Sequence, residues 1–533
     1  MLLQPKQPLY LALLLAFFTI ILSIFYRPLF PIDETRYISV AWEMWQGDNW
    51  LVPMKNGQFY THKPPALFWL INLTWATFGV SEFSARIIVP FIACCNYLLI
   101  VKLAKLVYPN SAQAAKFSPI ILISFLGWFI YVPSSMFDLL ITVFILITYI
   151  NLYRFALTAK YSYALIAGIG FGVSLLIKGP VAFVYTLPMI ITYRYWRTAT
   201  MSENRTWYMG SLIALVCGIA IVLSWAIPAV LTGGKEYANA IFWEQSAGRI
   251  KNSFAHARPF YWYLVALPLL LLPWLAMKQF WSSNFFKPSN ETRAGNRFCL
   301  LIFVSVLVLF SCFSGKQVHY LYPVLPIIAL FLASNMPSTM QSREPFLALL
   351  MIITSIVIFS SYYWLGNIFY NASMDGLNYS WGVIPIICSL ILMNLQTIHN
   401  KLKIDSLSIA LISFNFGLFI LIPFLSPILF QLYDVNATAK YIHQLQDMGR
   451  EVTYRGEYHN QFQFSGRLKT PIKEIKHDNY LIDETPNSQR NTVMVMTQRH
   501  LTSEDKQNSL FYSSYRGKFI VIKGITDLDE NID

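Results

Sequence analysis

Apolar runs recur along most of the chain, each close to the roughly 20 residues an α-helix needs to cross about 30 Å of hydrocarbon. Such windows lie near residues 9–27, 84–104, 117–132, 138–154, 162–177, 181–196, 208–231, 260–278, 298–314, 320–336, 346–366, 382–398 and 407–430, which predicts thirteen transmembrane helices. Beyond Tyr433 the pattern changes. Residues 433–533 mix charge with shorter apolar alternations, helix-like over 437–448 and strand-like over 492–496 and 519–522. This predicts a soluble α/β domain behind a membrane domain of residues 1–432, whose first loop, 28–83, is large. No internal repeat marks the inverted halves of a secondary transporter.

Composition strengthens the membrane reading. Of 533 residues, 56% are hydrophobic and 13% charged, a balance that belongs to a lipid-solvated chain. The first run follows Lys6 and ends at Tyr26-Arg27-Pro28 without a small-residue cleavage site, so it reads as an uncleaved anchor. The six cysteines (Cys94, Cys95, Cys217, Cys299, Cys312, Cys388) fall in or beside predicted spans without metal-ligand spacing, which argues against a disulfide framework or a zinc site.

A net charge of +13 would suggest nucleic acid in a soluble protein, but its distribution gives another origin. The apolar stretch 63–79 is short, and it either spans or lies at the interface. If it does not span, the loops near 102–116, 154–160, 194–205, 278–297, 337–345 and 398–406 share one side and hold fifteen Lys/Arg against four acids. The positive-inside rule assigns that side to the cytoplasm. The expectation is therefore a cytoplasmic N-terminus, with the first loop and the C-terminal domain on the outer face and no nucleic-acid partner.

Five polar stretches then fall on the outer face: 33–63, 134–138, 178–180, 233–258 and 314–320. Charges at the edge of hydrocarbon tend to be paired or used, so their convergence points to a site. Asp33-Glu34, directly after a membrane exit, suits a general base, a cation binder or a metal ligand, or else caps an interfacial helix. Asp138 opens the fourth predicted span, where it fits a first-turn role. Lys178-Gly179-Pro180 separates two apolar runs so tightly that the lysine lies at the boundary, free to snorkel or to hold an anion. Arg258 stands just above an aromatic belt, Phe260 to Tyr263, and Lys316 and Tyr320 open a later span. Lys63, Lys178, Arg258 and Lys316 together suit phosphate oxygens.

The order Asp33-Glu34-Thr35-Arg36-Tyr37, Lys63-Pro64, Asp138, Lys178-Gly179, His256-Ala257-Arg258-Pro259 and Tyr320 followed by Pro323 runs through essentially the whole chain. It resembles the GT-C glycosyltransferases that use polyprenyl-phosphate sugars, most closely the bacterial aminoarabinose transferases acting on lipid A. The resemblance implies an α-helical integral membrane protein of about 13 transmembrane helices in a bacterial inner membrane, with a small C-terminal α/β periplasmic domain. It implies Asp33, Asp138 and Glu34 as catalytic carboxylates, and Lys63, Arg258, Tyr320 and Lys178 as ligands of the donor phosphate. His62 stands where relatives often carry an acid, so no metal is expected to be required.

The implied chemistry is inverting transfer of a sugar from an undecaprenyl phosphate carrier to lipid A or another glycolipid. Two carboxylates without a metal site favour an amino sugar such as 4-amino-4-deoxy-L-arabinose. The alternatives are a polyprenyl-phosphate-sugar-dependent O-glycosyltransferase acting on a protein or glycan hydroxyl, and a lipid-sugar flippase. An oligosaccharyltransferase is disfavoured because the chain has no Trp-Trp-Asp signature, and Asp527-Leu528-Asp529 reads as solvated charge.

Overall fold

In a computed structural model of the protein, residues 7–47, 49–241, 257–281, 291–336, 343–369, 372–475 and 492–524 are described. Eight helices among them are long and apolar enough to cross a membrane, or nine if the pair Tyr379–Met393 and Leu395–Leu402, bent by 83°, forms one span. Shorter apolar helices (Ala66–Phe78, Val181–Ile191, Val318–Ser334) accompany them. Other apolar windows of the sequence fold as shorter or broken pieces. The run near 117–132 breaks at Phe125 into Ala112–Ser124 and Leu126–Tyr131, and the run near 260–278 is helical only over Trp262–Leu270 before turning into 3-10 segments. Pro119, Pro268 and Pro273 lie in these pieces, and each removes a backbone donor. At 13 residues, Ala66–Phe78 extends only about 20 Å, too little to cross the hydrocarbon.

Helix Phe137–Thr158 is the centre of the membrane domain, with 17 of its 22 residues buried. Asn204–Asn239 is peripheral and turns Leu212, Val216 and Leu231 outward, as lipid contact requires. Helix Tyr161–Lys178 lies between the two. It meets Asn204–Asn239 through small residues at four-residue spacing, Gly168 and Gly172 on one side and Ala214 and Gly218 on the other. A Cβ on Gly172 would sit 3.0 Å from the Cα of Gly218, and one on Gly168 would sit 2.8 Å from the carbonyl oxygen of Ala214. In lipid, where apolar burial gives no advantage between helices, such close backbone approach supplies the packing.

The first loop carries helix Asp33–Gln46 and a two-stranded hairpin, β1 (Met54–Lys55) and β2 (Gln58–Phe59). The hairpin turns at Asn56-Gly57, both at positive φ, the dipeptide that such tight turns favour. The C-terminal domain opens with helix Asn436–Asp447 and continues into β3 (Glu451–Arg455), β4 (Lys473–Ile475), β5 (Thr492–Gln498), β6 (Phe511–Tyr515) and β7 (Lys518–Gly524). These form one sheet in the order β4-β3-β5-β7-β6, parallel through β4, β3 and β5 and antiparallel through β7 and β6. Side chains alternate as strands dictate: Val493, Val495, Ile520 and Ile522 pack on Ala439, Ile442 and Leu445 of the helix, while Met494, Met496 and Val521 form the opposite face. The fold is thus a helical membrane domain followed by a small α/β domain.

Candidate active site

Two buried ion pairs hold the site region. Asp138 lies in the first turn of Phe137–Thr158 and Lys178 ends Tyr161–Lys178, so each charge complements the dipole of its own helix. The two helices bring the groups together as a salt bridge in which each side chain is 3% exposed. Gly179, at φ +66, turns the chain directly after the lysine. The hydroxyl of Tyr131 donates to the other carboxylate oxygen of Asp138 at 2.9 Å. The Lys178 ammonium also lies 4.9 Å from the ring centre of Tyr320.

The second pair joins Arg27, just past the first span, to Glu34. Glu34 Oε1 accepts from Arg27 Nη2 at 3.0 Å and from the Ser135 amide at 2.8 Å, while Oε2 accepts from Arg27 Nη1 and from the Phe30 amide at 3.0 Å. Arg27 in turn donates to the Pro133 carbonyl at 2.7 Å. Burial alone would raise the Glu34 pKa, but the charge and hydrogen bonds of Arg27 outweigh it and hold the carboxyl below the ordinary glutamate value. Both oxygens are committed within the protein, and the pair ties the first loop to the turn ahead of Asp138.

A cavity of about 440 Å³ opens beside Lys178. Its polar end carries Thr61, His62, Lys63, Lys178 and Tyr320; its walls are apolar, among them Leu175, Phe183, Val184, Ile219 and Phe310. Lys63 also lies 5.7 Å from the ring centre of Phe137, the residue before Asp138. The arrangement suits a ligand with an anionic head and a long apolar tail, because two lysines and a tyrosine line an otherwise greasy pocket.

Of the sequence candidates, Lys63, Lys178 and Tyr320 line this cavity, and Asp138 sits behind Lys178. Asp33 is not among the lining residues. Its side chain is 47% exposed and pairs with Arg36 one turn along the same helix. Arg258 is exposed, its guanidinium 4.4 Å from the ring centre of Trp262. Its backbone adjoins the cavity through an Ala257–Gly315 bridge and a hydrogen bond that its amide donates to the Ser314 carbonyl at 3.2 Å. Lys316 donates to the carbonyls of Arg258 (3.0 Å) and Phe313, so it fastens that bridge rather than facing the cavity. Burial lowers its pKa. His256 and Asp527-Leu528-Asp529 lie outside the described residues.

Two groups were not singled out by the sequence. His319 stacks on Tyr131 at 5.8 Å and 17° and lies within electrostatic reach of Asp138, Lys178, Lys63 and Asp33. Tyr131 ends a short helix inside what reads as a continuous apolar run. Only the position of His319 next to Tyr320 could have pointed to it.

Several known proteins resemble this chain in sequence or in fold. Residues 62–225 match a family model described as dolichyl-phosphate-mannose-protein mannosyltransferase. The chain is 28% identical over 319 residues to an undecaprenyl phosphate-alpha-4-amino-4-deoxy-L-arabinose arabinosyl transferase of Serratia proteamaculans, covering 58% of this chain and 55% of that one. A protein of the same name from Yersinia pestis is 28% identical over 337 residues, 61% of this chain and 58% of the other. The match thus spans little more than half the length of these curated relatives. In three dimensions, the crystal structure of ArnT from Cupriavidus metallidurans bound to undecaprenyl phosphate aligns over 97% of this chain and 98% of its own, with a TM-score of 0.71 and 16% identity. An apo oligosaccharyltransferase from Archaeoglobus fulgidus aligns over 93% of this chain and 70% of its own, with a TM-score of 0.53 and 11% identity. Over nearly its whole length, the chain shares the fold of ArnT and, at a lower score, that of the oligosaccharyltransferase.

Proposed function

We propose that this protein is an inverting glycosyltransferase that takes a sugar from an undecaprenyl phosphate carrier and passes it to lipid A on the outer face of a bacterial inner membrane. The observation that carries the reading is the cavity lined by Lys63, Lys178 and Tyr320 among mostly apolar side chains. An isoprenoid tail fits such walls, and a phosphate monoester fits such a head. The names of the relatives support the carrier and the sugar.

The acceptor oxygen attacks the anomeric carbon in line with the departing carrier phosphate, and the sugar inverts. Negative charge grows on the leaving phosphate, where Lys63, Lys178 and the Tyr320 hydroxyl stabilise it and Arg258 adds charge from the rim. Donors fixed before the reaction contribute most to such a step. Asp138 holds Lys178 in place. If the acceptor is a lipid A phosphate, its oxygen is already ionised and needs no base. Asp33 then orients the acceptor or pairs with the ammonium of a 4-amino sugar. If the acceptor is a hydroxyl, Asp33 is the general base. The match of residues 62–225 to a protein mannosyltransferase family favours that second acceptor class and makes it the alternative.

The test is transfer by the purified protein in proteoliposomes, with undecaprenyl phosphate-4-amino-4-deoxy-L-arabinose as donor and either lipid A or a hydroxyl-bearing glycolipid as acceptor. Lipid A should gain the mass of one aminoarabinose. Transfer to the hydroxyl acceptor alone would replace the acceptor assignment, and transfer to neither would refute the reading.

A further inference from the structure

The C-terminal domain touches the membrane domain where the proposed chemistry begins. Its segment 460–472 lies against helix Asp33–Gln46 and the β1–β2 turn, and polar atoms on both sides are matched. Asn56, 7% exposed at the tip of that turn, donates from Nδ2 to the Ile472 carbonyl at 2.7 Å. Its Oδ1 accepts from the Ile472 amide at 2.7 Å and from Gln463 Nε2 at 3.0 Å. One side-chain amide therefore pairs with a backbone amide and carbonyl much as a neighbouring strand would.

Glu43 completes the joint. Its carboxylate accepts from the Asn56 and Gly57 amides at 2.7 and 3.0 Å, and from Asn460 Nδ2 of the C-terminal domain at 2.7 Å. One turn earlier on the same helix, Ser39 Oγ accepts the Phe464 amide at 3.1 Å. Gly57 leaves no room for a side chain, since a Cβ there would come within 2.8 Å of Pro471. The contact is a fitted polar joint, and buried polar atoms left without partners there would cost more than the bonds themselves contribute.

The joint grips both pieces of chain that lead to the proposed site. Helix Asp33–Gln46 has Asp33 at one end and Glu43 three turns away, so fixing Ser39 and Glu43 fixes the axis on which Asp33 stands. The hairpin that turns at Asn56 runs directly into Thr61, His62 and Lys63 at the polar end of the cavity. The helix and the hairpin are joined to each other by Glu43 and to the C-terminal domain by Asn56.

We infer that the C-terminal domain is a brace for the active centre, and that Asn56 is a positioning residue that sets Asp33 and Lys63 relative to each other. The inference rests on the proposed transferase reading. It requires no contact between the C-terminal domain and the sugar, because the domain acts through the loop it holds. Reactions that depend on placing a nucleophile and a leaving group lose rate when such placement loosens, even where the ligands themselves remain.

The experiment compares the full-length wild type with Asn56→Gly, Asn56→Asp and Val495→Ala. Glycine keeps the positive-φ turn and removes every side-chain bond of Asn56, while aspartate turns a second acceptor oxygen onto the Ile472 carbonyl and buries a charge beside Glu43. Val495, fully buried in the C-terminal core, makes none of the joint's hydrogen bonds, so truncating it destabilises that domain while keeping every one of them. For Asn56→Gly, kcat for transfer should fall at least tenfold while the donor KM changes less than threefold, with Asn56→Asp losing at least as much. Val495→Ala should lower the unfolding midpoint and leave kcat per folded molecule within twofold. Backbone hydrogen exchange over residues 33–63 should quicken in Asn56→Gly and not in Val495→Ala. A wild-type kcat in Asn56→Gly, or an equal loss in Val495→Ala, would overturn the brace. If the wild type itself transfers no sugar, the transferase reading fails instead, and unchanged exchange over 33–63 in Asn56→Gly still refutes the brace.

Discussion

Replacing Glu34 with glutamine tests whether this residue ties the two loops together or takes part in the reaction directly. Four donors converge on its carboxylate: two guanidinium nitrogens of Arg27 and the amides of Phe30 and Ser135. Glutamine offers one oxygen in place of two, so in either orientation its NH₂ faces two donors and the corresponding bonds are lost. The guanidinium, 4% exposed, also loses its counter-charge. Breaking a buried ion pair from one side costs about 3–5 kcal/mol, and two bonds to a charged group at about 1.5–3 kcal/mol each give about 3–6 kcal/mol, an overlapping range. Reversible unfolding in mixed micelles should therefore show Glu34→Gln destabilised by about 3–5 kcal/mol. The double variant Arg27→Met with Glu34→Leu should be no worse than the single one, because removing both charges leaves neither stranded. The pH dependence has a definite sign. The folded-state pKa of Glu34 lies below its ordinary 4.5, so this contribution is fully present above that value and is lost as pH falls through the folded-state pKa. A Glu34→Gln protein as stable as the wild type that nevertheless transfers no sugar would refute the structural assignment and return Glu34 to the catalytic group.

Removing Lys178 with Met strands the buried Asp138 carboxylate on Tyr131 alone, so the variant should lose about 3–5 kcal/mol of stability and nearly all transfer; full activity would make the lysine a mere anchor. Lys316→Met should lower the unfolding midpoint while leaving the affinity for undecaprenyl phosphate within twofold, because its ammonium is spent on two carbonyls; a tenfold loss of affinity would place it in the site. Gly210→Leu would drive a side chain into the Phe155 ring, 2.0 Å from a Cβ at that position, and should cost at least about 1–3 kcal/mol as overpacking does; a neutral effect on unfolding would contradict the close helix contact.

Much of this arrangement could be read along the chain because the physics involved is local. Lipid solvation writes each span into about 20 consecutive residues, and an acid or lysine at the end of a run stands out against them. The cavity lysines Lys63 and Lys178 were legible for that reason. Pairing was not. Asp138 and Lys178 are forty residues apart, and nothing between them reveals that their helices meet at the same end. Arg27 and Glu34 are separated by a break in helix, so no helical spacing connects them. Glu34 reads as one half of an acidic pair, yet the fold gives it a committed partner while its neighbour Asp33 is half exposed. The joint between Asn56 and Ile472 is more remote still, since it depends on a domain more than four hundred residues downstream. Asn56-Gly57 signals a tight turn but not what the turn meets.

The small-residue seam between Tyr161–Lys178 and Asn204–Asn239 has a consequence for supply. Gly168 and Gly172 hold the two helices together at one level, while one turn further on Leu175, Ile219 and Val222 stand around the cavity instead. Those side chains make the seam a greasy wall on the side that Asn204–Asn239 presents to the surrounding lipid. On the proposed reading, the carrier enters sideways by diffusing in two dimensions, and its tail never passes through water. Affinity for the tail can then stay modest, since the bilayer already concentrates the lipid beside that wall, and spent carrier can leave as readily as a loaded one arrives.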